Sequence, residues 1–147
     1  IDDMIDTLID QKGIGLAAPQ IGVDYQLFIV APEQKFKRPN DSLENGLVVI
    51  NPKIEFLPMK ETLEWEGCLS IPGIRGLVPR ACNIKITYTN RMGELKVETY
   101  SEFTARIFLH EYDHLNGVMF LDRLNNIKTD LITDSVYAKL VEEHENQ

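Results

Sequence analysis

Two histidines and a glutamate near the end of the sequence have the types and spacing of a metal site. His110 and His114 are four residues apart in a stretch with helical periodicity, so their side chains project about 40° apart on one face. Two imidazoles in this arrangement can bind one ion, and Glu111, next to the first, can reach a water on that ion. The pattern predicts a hydrolytic metal centre that still needs a third protein ligand.

Several residues could supply that third ligand. A peptidase of the zincin type would take a histidine or carboxylate downstream, where Glu142, Glu143 and His144 are available. Those three belong to a charged stretch that is typical of a solvated surface. Cys68 is favoured, because it lies in a segment without helical periodicity and its thiolate suits a borderline-soft ion. Cys82 is interpreted as a small buried apolar residue.

The elements that must position these residues can be predicted from the spacing of apolar side chains. The pattern indicates an α+β protein, with antiparallel β-sheets packed around a central metal-binding helix and a C-terminal helix. The Gly-punctuated stretch 12–22 is interpreted as a loop in which Pro19 stops any helix. The predicted helices are residues 1–10, 102–117 and 129–143, and the predicted strands are 25–31, 46–52 (with a polar loop between these two), 83–89 and 94–100.

Length and composition restrict the class of protein. A chain of 147 residues, 44% hydrophobic and 26% charged, is predicted to form one globular domain. No stretch approaches the ~20 consecutive apolar residues of a membrane span, so no membrane partner is expected. The net charge of −8 argues against a nucleic-acid-binding surface, which needs clustered Lys and Arg. We expect a cytoplasmic protein with free thiols, and an organellar address upstream of Ile1 stays open.

Three motifs, in this order, resemble those of the peptide deformylase family: GIGLAAPQ (13–20), EGCLS (66–70) and HEYDHLNG (110–117). The stretch PGIRGLVPR (72–80) also resembles the family sequence after the second motif. The resemblance implies that Cys68 is the third ligand and that water takes the fourth position. It also implies one Fe²⁺ per chain, which Zn²⁺, Ni²⁺ or Co²⁺ can replace.

The reaction that the resemblance implies is hydrolysis of the N-formyl group from the N-terminal formyl-methionine of newly synthesised polypeptides, with release of formate. Glu111 would be the general base, which hands its proton to the leaving amine. The side-chain amide of Gln20 and the backbone N–H of Leu69 would stabilise the oxyanion that forms when water attacks the formyl carbon.

The substrate-binding residues can be predicted in part. The GIGLAA segment formally matches a dinucleotide-binding fingerprint, but a helix precedes it where that fingerprint needs a strand. We interpret it as a backbone edge to which an extended peptide adds as a strand. By resemblance, Arg75 meets the peptide backbone further along, and Glu66, Arg80 and Asp113 are expected to form a buried charge network that orients the ligands. The edge comprises Gly13, Ile14 and Gly15, and the candidates for the methionine pocket are Ile14, Phe103 and Ile107.

The sequence departs from the family pattern in three places. Leu109 stands where many members have glutamine. Members usually have a further strand and helix before the part that resembles residues 1–10, so we expect residues 1–147 to be a single catalytic domain without them. The acidic C-terminal sequence VYAKLVEEHENQ does not favour ribosome docking. Two alternatives remain at this point: a zincin-like endopeptidase that uses the downstream ligands, and a binding protein of deformylase shape without turnover.

Overall fold

The computed structural model describes residues 1–33, 41–57 and 61–145, so half of the predicted loop between the first two strands lies outside it. Most strands follow one another in a single run between the first helix and the long helix that bears the histidines, as the α+β prediction requires. In chain order they are α1 (Asp2–Asp10), β1 (Gly15–Ala17), a 3-10 helix (Ala18–Ile21), β2 (Leu27–Val30), β3 (Asp41–Ser42), β4 (Gly46–Phe56), β5 (Glu61–Cys68), β6 (Ile71–Ala81), β7 (Asn83–Thr89), β8 (Leu95–Ser101), α2 (Glu102–Leu115), a second 3-10 helix (Phe120–Arg123), α3 (Ile127–Asp130), β9 (Leu131–Thr133) and α4 (Asp134–Glu145).

The strands form two antiparallel sheets. The larger has the order β1-β2-β4-β7-β8, with β3 paired to β4, so β1 is an edge strand. The smaller has the order β5-β6-β9. In the described parts of the chain, no helix combines the length and apolarity needed to span a bilayer.

The strand β2 is buried on both faces, and its successive side chains enter two different cores. Phe28 and Val30 pack in the core that includes α2. Leu27 and Ile29 point the opposite way, into the core that includes α1. This double burial explains the continuous apolar run LFIV, which lacks the alternation of a strand with one solvated face.

The helix α2 lies centrally and is anchored by an aromatic contact. It packs against β1, β2, β7 and β8 of the larger sheet and also contacts β6 of the smaller one. Phe108 stacks on Tyr100 with ring centroids 4.5 Å apart and meets Phe28 edge-on at 5.8 Å. Since the candidate metal ligands His110 and His114 follow Phe108 by two and six residues on the same helix, this packing fixes where their side chains lie.

The structure corrects the interpretation of residues 12–22 as a loop. Residues 15–17 form β1, and the first 3-10 helix follows, with Pro19 in its first turn. Proline is tolerated there, because the N–H that it lacks would have no partner within the helix.

The predicted C-terminal helix was also wrong over its first part. A helix was expected over residues 129–143, but β9 occupies residues 131–133 and α4 begins at Asp134. Ile132, which lies within the expected helix, instead pairs with Arg75 of β6. Pairing with an existing sheet overrides weak local periodicity in so short a segment.

The long β5–β6 hairpin was not predicted from the sequence. β6 contains two prolines and two glycines, residues that are depleted in strands and typical of turns. Its pairing with β5 nevertheless runs from Ala81 opposite Glu61 to Ile71 opposite Cys68, with an irregularity in register between Glu66 and Cys68. The hairpin therefore brings Cys68 to the end of a strand, next to α2.

Candidate metal centre and active site

Three potential metal ligands meet where the end of β5 approaches α2. The sulfur of Cys68 and one nitrogen each from His110 and His114 lie within 4.8 Å of one another. Cys68 Sγ is 3.3 Å from His114 Nε2, and the two imidazole centroids are 5.1 Å apart. Within residues 1–33, 41–57 and 61–145, this is the only cluster of three such ligands.

The alternative third ligands lie elsewhere. Glu142, Glu143 and His144 are exposed on α4 and do not belong to the cluster. Cys82 is buried, as predicted, and does not belong to it either. The geometry therefore favours Cys68 over the zincin-type candidates.

Glu66 orients the first histidine. It is buried and lies two residues before Cys68, and both side chains contact histidines of α2. His110 Nδ1 is 2.8 Å from Glu66 Oε1. A proton on Nδ1 that is donated to this carboxylate leaves Nε2 as the nitrogen that can bind an ion.

Two arginines hold Glu66 in turn. Arg80 donates to both of its oxygens at 2.9 Å, and Arg106 donates to Oε2 at 2.6 Å. Arg80 also donates to Asp113 at 2.5 Å. The predicted network of Glu66, Arg80 and Asp113 is thus confirmed, and all of its members are buried.

Arg106 is a member of this network that the sequence analysis missed. Beyond Glu66, it donates to the main-chain oxygens of Thr62 at 2.7 Å and Val78 at 2.8 Å, which joins α2 to both strands of the β5–β6 hairpin. The available signal was a lone arginine in the apolar run ARIFL, four residues before His110 and on the same helical face. A buried charge needs partners, and the partners of Arg106 are Glu66 and the hairpin that bears Cys68.

The contacts among these groups shift their pKa values. Burial favours the neutral form of Glu66, but hydrogen bonds from His110 and Arg80 outweigh it and lower its pKa to about 2. Burial also opposes a thiolate at Cys68, yet hydrogen bonds from His110 and His114 lower its pKa to about 6. At His110, burial is outweighed by the contacts with Cys68 and Glu66, which raise its pKa to about 10. The site therefore favours the thiolate, which is the form of cysteine that binds ions.

Glu111 is a buried acid with a free oxygen. Its Oε1 lies 4.0 Å from His110 Nε2, and its Oε2 has no hydrogen-bond partner among the residues described by the structure. Burial raises the pKa of Glu111 to about 7, against the opposing charges of His110 and His114. A carboxyl group with this pKa can accept and return a proton near neutral pH.

Gly15 makes room for that acid. A Cβ atom at position 15 would stand 2.8 Å from Glu111 Oε1 and 2.9 Å from its Cγ. The backbone of β1 can approach Glu111 so closely only because residue 15 has no side chain.

Gln20 directs its amide nitrogen towards the end of β5. Its Oε1 accepts a hydrogen bond from the Ala17 N–H at 2.8 Å, which leaves Nε2 on the other side. Nε2 is 2.9 Å from Ser70 Oγ and 3.6 Å from Cys68 Sγ. Leu69, between those two residues, is 39% exposed. The Gln20 amide and the backbone at Leu69 thus flank the cluster, where donors to an oxyanion would be needed.

A groove of about 600 Å³ opens at the cluster. Its wall includes the segment that leads into the edge strand β1, and Phe103, which is 57% exposed, stands near the buried Ile107. Leu109 instead packs in the core around Phe108, which explains why an apolar residue fits there. Every predicted site residue except His114 lines the groove: Gly13, Ile14, Gly15, Gln20, Cys68, Leu69, Arg75, Phe103, Ile107, His110 and Glu111.

The fold and this cluster together are typical of a mononuclear metallohydrolase. The sequence profile of the family described as polypeptide deformylase matches residues 1–130. The chain is 46% identical to peptide deformylase 2 of Nostoc sp. over 142 residues, which is 96% of this chain and 78% of that protein. It is also similar to the crystal structure of the peptide deformylase from Thermotoga maritima, with a TM-score of 0.74, 38% identity, and coverage of 86% of this chain and 79% of that one.

A third likeness is to a class I type b peptide deformylase from Acinetobacter baumannii with Met-Ala-Ser bound. It has a TM-score of 0.71, 39% identity, and coverage of 82% of this chain and 76% of that one. The chain belongs to the peptide deformylase family. These findings confirm the family, the α+β fold class and the deformylase activity that the sequence predicts.

Proposed function

We propose that this chain hydrolyses the N-formyl group of formyl-methionyl polypeptides at a divalent ion held by Cys68, His110 and His114. The observation that carries the proposal is the approach of these three ligand atoms to within 4.8 Å of one another, with the buried Glu111 beside them. Residues 1–147 form one catalytic domain in this proposal. It acts in the cytoplasm on a peptide partner and makes no contact with nucleic acid or membrane.

The donor set fits the implied ion. One thiolate and two imidazoles suit Fe²⁺ and the borderline-soft ions Zn²⁺, Co²⁺ and Ni²⁺, and we propose Fe²⁺ as the resident ion. The hydrogen bond of His110 Nδ1 to Glu66 leaves Nε2 for ligation. When bound, such an ion polarises the formyl oxygen and lowers the pKa of water.

The chain's own residues carry the proton and orient the reacting groups. Glu111 takes a proton from the attacking water as the water oxygen bonds to the formyl carbon. It then delivers that proton to the amine nitrogen as the C–N bond breaks, which yields formate and a free N-terminus. The Gln20 Nε2–H and the Leu69 backbone N–H donate to the oxygen that becomes negative. The bond between Gln20 and the Ala17 N–H supports this role, because it holds the donor end of the amide towards Cys68.

The groove accounts for the substrate. The segment Gly13–Gly15 leads into the edge strand β1, which among the described strands pairs only with β2, so an extended peptide can add along its other side. Phe103, Ile107 and Ile14 offer apolar surface to the methionine side chain. Arg75 lines the same groove and can donate to the peptide backbone. The likeness to a deformylase with Met-Ala-Ser bound supports this assignment.

The test is formate release from formyl-Met-Ala-Ser by protein prepared without oxygen, with metal content measured alongside. We expect the parent protein to release formate, and Glu111→Ala to retain its metal and lose activity by about 10²- to 10⁴-fold. Full turnover by Glu111→Ala would contradict the role of Glu111. A parent protein that carries its ion but releases no formate would contradict the proposed function.

A further inference from the structure

One wall of the groove is formed by residues that follow the part of the chain matched by the family profile. Asp134 and Tyr137, in the first turns of α4, line the same groove as Glu111 and Cys68. The profile match ends at residue 130. The strand β9 places them there, because Ile132 pairs with Arg75 and α4 begins two residues later.

Both residues contact Arg75. Asp134 Oδ1 is 3.3 Å from Arg75 Nε, and Arg75 Cζ is 4.4 Å from the centre of the Tyr137 ring. The same Cζ lies 3.6 Å from where a Cβ atom at Gly67 would stand, next to the proposed ligand Cys68. The guanidinium is therefore held between α4 and the end of β5.

These contacts leave most of the donors of Arg75 available. A guanidinium carries five N–H groups, and only Nε has a partner among the described residues. The ion pair with Asp134 involves Nε, and the Tyr137 ring lies over Cζ at 4.4 Å, so neither contact uses the Nη donors. The side chain of Arg75 is 37% exposed, so a peptide in the groove can reach it.

We propose that Asp134 and Tyr137 are positioning residues that orient Arg75 towards the main-chain carbonyl oxygens of the residues that follow the methionine. This inference rests on the proposed function and adds that α4 helps to determine the preference for longer peptides. A substrate that ends at the methionine gains nothing from the arrangement, whereas a longer peptide is held by hydrogen bonds from a preoriented cation.

The experiment compares KM and kcat for formyl-Met amide and formyl-Met-Ala-Ser. Tyr137→Leu removes the aromatic face, and we expect it to raise KM for the longer peptide by about 2- to 5-fold, the usual worth of an exposed cation–π contact. Values for the short substrate and kcat for both should not change. Tyr137→Phe keeps the ring and should behave like the parent, as should Lys139→Gln on an exposed part of α4.

A double-mutant cycle separates positioning from a general structural role. Arg75→Met should raise KM for formyl-Met-Ala-Ser by about 10-fold or more, because it removes hydrogen bonds from a charged donor. Adding Tyr137→Leu to Arg75→Met should then have no further effect, since Tyr137 acts through Arg75. The corresponding cycle with Asp134→Ala should show the same coupling.

Several outcomes would overturn the inference. An unchanged KM for the longer peptide in Tyr137→Leu would do so, and so would additive effects of the Arg75 and Tyr137 substitutions or an equal loss on both substrates. In each of these cases a parent protein active on both substrates leaves the proposed function intact. A parent protein inactive on both substrates would contradict the proposed function and the inference together.

Discussion

Because Gly15 lies so close to Glu111, adding a single methyl group at position 15 tests whether the position of Glu111 matters for catalysis. In Gly15→Ala the new Cβ would stand 2.8 Å from Glu111 Oε1, so the carboxyl group must move. We expect kcat/KM for formyl-Met-Ala-Ser to fall at least about 10-fold, since a small displacement of a catalytic group is costly. Metal content should stay near the parent value, because the atoms nearest to the new Cβ all belong to Glu111, which is not a proposed ligand. Parent-like kcat/KM would show that Glu111 need not occupy this position.

The two cysteines provide a matched test of ligation. Cys68→Ala should hold much less than one ion per chain after dialysis, because only two imidazoles remain. Cys82→Ala should keep its metal and lose only stability, since Cys82 is a buried residue outside the cluster. Inductively coupled plasma mass spectrometry measures the metal content of both variants after dialysis. A normal metal content in Cys68→Ala would contradict the ligand assignment.

Whether two site residues could be predicted to lie together depended on how far apart they are along the chain. The spacing of His110 and His114 alone places them on one helical face, and the structure brings them together. No local rule links Cys68 to His114, because 46 residues separate them and the intervening hairpin was not predicted. Cys68 was favoured by its chemistry and assigned only through the family resemblance. Arg106 was missed because its partners are main-chain atoms and an acid from distant strands.

At the scale of elements, Arg106 ties the ligand-bearing helix to the ligand-bearing hairpin. Arg106→Leu would leave the buried Glu66 with one arginine instead of two and two main-chain oxygens without their donor. Removing one partner from a buried ion pair typically costs about 3–5 kcal/mol. Loosening the carboxylate that orients a metal-bound histidine typically lowers metal affinity by about 10- to 100-fold. Urea unfolding and a chelator competition titration measure the two effects.

Arg91→Leu is the matched control for Arg106→Leu. Arg91 pairs with Asp2 at 2.6 Å, but the Asp2 side chain is 57% exposed, so this pair is expected to contribute at most about 1 kcal/mol. Metal affinity should not change in this control. If Arg106→Leu lost no more stability and no more metal affinity than Arg91→Leu, the network would not couple α2 to the hairpin.

Whether a helix or strand could be predicted from the sequence depends on whether local or distant contacts stabilise it. The helix α1 buries one face, so the spacing of Met4, Ile5 and Leu8 is visible in the sequence. β9 is three residues long and exists because β6 offers it an edge. Elements that depend on a distant partner carry too little local signal to be predicted.

An ion bound by Cys68, His110 and His114 would link the smaller sheet to the helix packed on the larger sheet. Cys68 belongs to the smaller sheet, whereas His110 and His114 belong to the helix packed on the larger one. A ligand that binds only the folded state stabilises it by about 4 kcal/mol when present at 1,000 times its dissociation constant. For a domain of this size, that corresponds to a rise in melting temperature of roughly 10 °C. Removing the ion with a chelator should therefore lower the melting temperature by a similar amount.

The stabilisation by an ion should also grow with pH. In the metal-free protein the contacts with Cys68 and Glu66 hold the pKa of His110 at about 10, so at neutral pH this imidazole carries a proton that ligation must displace. The thiolate contributes little to the change above pH 7, because the pKa of Cys68 is lowered to about 6. One displaced proton makes binding more favourable by about 1.4 kcal/mol for each unit of increasing pH. The difference in melting temperature between Zn²⁺-loaded and metal-free protein should accordingly be larger at pH 8 than at pH 7. In Cys68→Ala this difference should be absent at both pH values. An equal difference at the two pH values in the parent protein would mean that His110 binds the ion without losing a proton.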